Sequence, residues 1–220
     1  MSECVIAVLT LAACVFAASA SSKLRSGQAY GTFRAGLREA LLVPGRLLPM
    51  TAAALAIWEA IAAVGLAGAA VAAALSGPGA SALAESALAA AAVLMAVLVA
   101  GVAMVVRRGT RARCACFGAS SGRPLGRAHL IRNACLLAVL TAGLVGNPLR
   151  YDRPAPAGVV LAVVVGAAVA LLFVRWDDLV GLFAPVSPVS PVSPAGGVSP
   201  AGRVSPAGAV TSARSGHRPR

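Results

Sequence analysis

Apolar blocks of about 18 residues or more, carrying few or no charges, dominate this sequence; "GVVLAVVVGAAVALLFV" at 158–174 is the purest of them. A helix needs about 20 such residues to cross a hydrocarbon core roughly 30 Å thick. Inside lipid every backbone polar group must be satisfied within the protein, so only helices and closed barrels span it. The blocks show no alternation with period two, which excludes a barrel. The fold class is therefore all-α, a polytopic transmembrane helical bundle. Only 12% of the residues are charged, where a soluble domain carries about a quarter, and 59% are hydrophobic.

Five spans are expected, from about Cys4 to Ser21, 49–75, Ala82 to Val106, His129 to Gly146 and 157–174. The first block carries "LAAC" and "ASA", which resemble lipoprotein and signal-peptide cleavage sites. Both signals need a positively charged start, and this chain has Glu3 and no Lys or Arg before Lys23. The block reads as an uncleaved first span. The fourth span is short, with Arg132 and Asn133 in its first turns.

Between the first two spans, "YGTFRAGLREALLVPG" sets Phe33, Leu37 and Leu41 four residues apart, with Arg34 and Arg38 on a neighbouring face. That pattern predicts a helix lying in the membrane interface. "SGPGAS" at 76–81 predicts a tight turn, "NPLRYDRPAP" at 147–156 a turn-rich connection, and Glu85 a cap near the start of the third span. From 184 onward a Val-Ser-Pro repeat removes the donors a helix needs, which predicts a disordered tail. Three regions follow: a membrane domain at 1–146, an additional C-terminal span within 147–183, and the tail at 184–220.

The net charge of +12 raises nucleic-acid binding, but aromatic residues make up 4% of the chain and offer no stacking platform. The basic residues lie instead in loops beside the spans. The 22–46 loop holds Lys23, Arg25, Arg34, Arg38 and Arg46; the 107–132 stretch holds Arg107, Arg108, Arg111, Arg113, Arg123, Arg127 and Arg132. The alternate connections hold only Arg150 and Arg153. By the positive-inside rule the N-terminus lies outside, and the C-terminus and the 107–128 loop lie in the cytoplasm. The expected location is the cell membrane, with the lipid bilayer as surroundings and no nucleic acid as partner.

Two features carry chemistry. Cys114 and Cys116 stand one residue apart in the most basic loop, "RCACFGASSGRPLGRAHLIRN". On an extended backbone both side chains point to one side, with Cα atoms near the roughly 7 Å limit for a disulfide, so a bridge between them is strained and easily reduced. Neighbouring arginines favour the thiolate. Three readings stay open: a redox pair, a pair of idle loop thiols, or two ligands for a soft metal ion with His129 nearby. Cys14 and Cys135 read as packing residues, and nothing marks Cys4. The second feature is Glu59, a carboxylate near the middle of an apolar block. Such a group costs roughly 2.5 kcal/mol or more to insert and faces a partner or a cavity. It is either a titratable site residue or a protonated group making one interhelical hydrogen bond. Arg132 is a candidate partner, and it can equally snorkel to the interface.

"CACFG" at 114–118, "RPLG" at 123–126, His129 and "RN" at 132–133, leading into an apolar helix, resemble the signature loop of the methylamine utilisation protein MauE family. "SKLR" at 22–25, "FRAGLREALLVPGRLLP" at 33–49 and "WEA" at 58–60 extend the resemblance over roughly residues 4–146. The resemblance implies an integral membrane accessory protein associated with methylamine metabolism, which supports thiol–disulfide maturation of an exported client. A thioredoxin-like protein is the implied redox partner, and Cys114 and Cys116 are the implied redox pair. Alternatives of a different class are a membrane metal-handling protein and a non-redox scaffold. No nucleotide loop, catalytic triad or haem-binding histidine pair is present, so the sequence assigns no cofactor, no metal site and no independent catalytic motif.

Overall fold

A computed structural model describes residues 2–40, 44–109, 127–147, 154–176 and 178–179. Among the described residues there are six helices: α1 (Ser2–Leu24), α2 (Gly27–Glu39), α3 (Leu48–Ala74), α4 (Ala80–Arg108), α5 (Arg127–Val145) and α6 (Pro156–Val174). All but α2 are long and apolar enough to cross a membrane. The observed spans sit within a few residues of those expected. The fourth is 19 residues long, about 28 Å, which suffices for a crossing. Cys114, Cys116 and the Val-Ser-Pro tail lie outside the described residues.

Helix α1 has no polar face, as a core helix or a membrane span has none. It packs against α2, α3, α5 and α6, with Ile6, Leu9, Ala12 and Phe16 almost wholly buried. By contrast α6 buries only the stripe Ala162, Gly166 and Ala170 and turns Val160, Leu161, Val164 and Leu172 outward, as a lipid-facing helix does. In a bilayer helices associate through close van der Waals packing, and small residues at four-residue spacing permit it. A Cβ on Gly166 would lie 2.5 Å from the carbonyl oxygen of Ala7, so the two backbones touch there. Gly158, nearer the start of α6, lies against the Glu3 side chain, a Cβ there falling 3.2 Å from Glu3 Cγ, so α1 and α6 run parallel.

The α3–α4 turn is closed by a two-bond helix stop. Gly77 N–H donates to Ala72 O at 2.9 Å and Ser76 N–H to Ala73 O at 3.2 Å, with Ser76 itself in the left-handed region (φ 49°). Gly79, at φ 74°, then starts α4. Glu85 does not cap this helix as expected. It lies past the first turn and is exposed, and backbone geometry at Gly79 begins the helix without a side-chain cap.

Helix α2 begins on Ser26, whose hydroxyl accepts from Ala29 N–H at 3.1 Å. It lies across α1 and α3, burying Phe33 and exposing Arg34 and Arg38. This is the amphipathic arrangement that the spacing predicts. Leu41, the third member of the expected stripe, lies outside the described residues.

The cysteine expectation needs correction. Cys14 and Cys135 are not packing residues; both, like Cys4, stand exposed on the outer surface of the bundle. A cysteine is small and apolar enough to face acyl chains at little cost, so its presence in a span does not decide which way it points.

Candidate functional site: a buried ion pair beneath α2

Ser19 and Lys23 fall four residues apart on one face of α1, and that face turns toward Glu59 on α3. Lys23 forms a salt bridge with Glu59 Oε2, and the two side chains are 1% and 2% exposed. Ser19 Oγ donates to the same oxygen at 3.0 Å and accepts from Lys23 Nζ at 2.8 Å, closing a triangle. The face of the Phe33 ring lies over the ammonium, with the centroid 5.1 Å from Nζ. A desolvated cation–π contact of this kind contributes about 2 kcal/mol. Buried pairs often gain little over an apolar replacement, but removing one partner costs about 3–5 kcal/mol because the other charge is stranded.

On α5, Arg132 belongs to the inward stripe His129, Arg132, Leu136, Leu140 and Gly143. It is 4% exposed and close enough to act electrostatically on Lys23. The buried cluster therefore holds two basic side chains, Lys23 and Arg132, and Glu59, the only buried carboxylate among the described residues. Such a cluster gives a carboxylate inside the span hydrogen-bonding and ion-pair partners that fix its orientation.

Glu59 is thus inward-facing, as its place in an apolar block suggested, but its partner is Lys23. Arg132 is buried in the bundle rather than turned out to the interface. Lys23 was expected as the first charge of a loop and is instead an integral part of α1. Two sequence signals pointed to it: it is the only lysine among 19 basic residues, and it shares a helix face with Ser19. His129, the nearest candidate third ligand for Cys114 and Cys116, is buried on the inward stripe of α5. Among the described residues no group of three His, Cys, Asp or Glu side chains is placed to hold a metal ion.

Helix directions settle which ends share a face. Gly143 of α5 approaches Val8 near the start of α1, and Gly158 of α6 approaches Glu3. The end of α1, the start of α3, the end of α4, the start of α5 and the end of α6 consequently lie on the opposite face, beside α2. Arg25, Arg34, Arg38, Arg46, Arg107, Arg108, Arg127 and Arg175 decorate that face, all exposed. The segment 110–126, which contains Cys114 and Cys116, leaves from and returns to it.

The fold and this cluster define a multi-pass helical membrane protein with an ionised site set inside its bundle. The chain belongs to the methylamine utilisation protein MauE family, whose model matches residues 1–146. It is accordingly a membrane accessory protein of the methylamine-utilisation type. No curated protein and no solved structure matches the chain.

Proposed function

We propose that this protein supports thiol–disulfide maturation of an exported protein, with Cys114 and Cys116 as its redox pair and a thioredoxin-like protein as its partner. One observation supports the reading: α4 ends and α5 begins on the arginine-rich face, and the stretch of chain between them in the sequence carries Cys114 and Cys116. Fixed positive charge around a thiol favours the thiolate, the form that exchanges. By the positive-inside rule this face is cytoplasmic and the N-terminus is outside.

A thiolate of the reduced partner attacks one sulfur of the Cys114–Cys116 disulfide, forming a mixed disulfide and releasing the other cysteine as a thiolate. The second thiol of the partner then attacks the mixed disulfide. The partner leaves oxidised, and two electrons and two protons have passed to the cysteine pair. Glu59, held by Lys23 and Ser19, serves as the intramembrane carboxylate of the same unit.

Mass-tagging of thiols in intact membranes tests the reading. Cys114 and Cys116 should be found partly as a disulfide, and the Cys114→Ser, Cys116→Ser double variant should lose client maturation. A pair that stays fully reduced in cells, with the double variant fully active, would overturn it.

A further inference from the structure

Lys23 links two things that are otherwise separate, a carboxylate inside the span and a helix on the membrane face. Its ammonium lies between Glu59 below and the Phe33 ring above. Phe33 is the residue that α2 buries. We propose that α2 is a latch, held against the bundle only while Glu59 carries its charge.

The mechanics follow from where Lys23 sits, one residue before the end of α1. With Glu59 charged, the ammonium has a carboxylate, the Ser19 hydroxyl and an aromatic face, and it stays inside. The charged and titratable groups facing it are Glu59 from α3 and Arg132 from α5, with Ser19 on its own helix; α2 supplies the uncharged ring, while its Arg34 and Arg38 are exposed. Neutralising Glu59 removes the anion that faces the ammonium, while Arg132 still acts on it. A lysine in the last turn of a span can carry its charge to the water layer along its own flexible stem. The Phe33 ring, its centroid 5.1 Å from Nζ, covers the ammonium on the α2 side, so the proposed outward movement runs into it. The ring must move aside, and α2 moves with it.

The charge state of a group within the bilayer is thereby displayed on the face from which segment 110–126 departs. The latch goes beyond the thiol–disulfide reading and stands whether or not Cys114 and Cys116 exchange electrons.

Hydrogen exchange of the full chain in lipid nanodiscs, followed by mass spectrometry, tests it. In Glu59→Gln, amides of residues 27–39 should exchange at least tenfold faster than in the wild type, with α4 and α6 unchanged. The double variant Lys23→Met, Glu59→Gln has no cation to swing outward, and its α2 should return to within about threefold of wild-type exchange. Trypsin cleavage at Arg34 and Arg38 should follow the same order. Wild-type exchange in Glu59→Gln would overturn the latch. So would equal loosening of α2 in both variants, or loosening of all helices together, because Glu59 would then support the bundle as a whole.

Discussion

The side-chain amide of Asn147 donates to the backbone carbonyl of Ser81 at 3.0 Å, tying the end of α5 to the first turn of α4. Both residues stand on the face that also bears the 75–79 turn, and the arginine collar is on the other. A reporter inserted near Gly79 should therefore read the outer side, and one fused after Arg220 the cytoplasm. Readings from the same side would break the five-span arrangement.

Removing the Asn147 amide should loosen this tie without disturbing insertion. One hydrogen bond contributes about 1 kcal/mol, so Asn147→Ala should lower the melting temperature of the purified protein by a few degrees. An unchanged melting curve would show that the bond adds nothing to the bundle.

Helix α6 should be sensitive at a single position. The 2.5 Å approach of a Cβ on Gly166 to Ala7 O leaves no room for a side chain, and the obstacle is backbone. Overpacking typically costs about 1–3 kcal/mol. Gly166→Val should fall in that range by thermal or denaturant unfolding in detergent. The same substitution at Gly68, where nothing lies within 4 Å, should be mild.

The buried pair should behave as a unit. Lys23→Met strands the Glu59 carboxylate and should cost about 3–5 kcal/mol, visible as lower yield and earlier melting. Lys23→Met with Glu59→Met removes both charges and should regain most of that loss. Additive losses in the double variant would mean that the two side chains do not depend on each other.

Thiol reactivity should separate the five cysteines. Cys114 and Cys116 should alkylate faster near neutral pH than Cys14 and Cys135, which stand in spans on the lipid-facing surface. Replacing one of the pair by Ser removes the resolving thiol, so a mixed disulfide with the partner should persist on non-reducing gels. Equal, slow labelling at all five would remove the chemical basis of the redox reading.

Much of the architecture was legible because each span is a local property. Length and apolar composition mark α1 and α3 to α6, and the Phe33 and Leu37 spacing marks α2. The site was legible only by half. Glu59 announces itself by standing alone in an apolar block. Lys23 sits at a block's edge beside Arg25, where a basic residue usually faces water, and only the crossing of α1 over α3 brings it inside. That crossing is a non-local event, separated by 36 residues of chain. Cys14 and Cys135 illustrate the same limit in reverse: an apolar helix does not say which of its faces meets protein and which meets lipid.

The family match ends at residue 146, yet α1, the most enclosed helix of the matched part, is completed along one flank by α6. The seam of Ala7, Thr10 and Leu11 would otherwise lie open to the bilayer, with a backbone flat enough to accept another helix at contact distance. This chain fills the vacancy from its own sequence. A version trimmed to the family core would present that seam as an unfilled socket, and any glycine-striped helix running parallel to α1 would have the shape to occupy it.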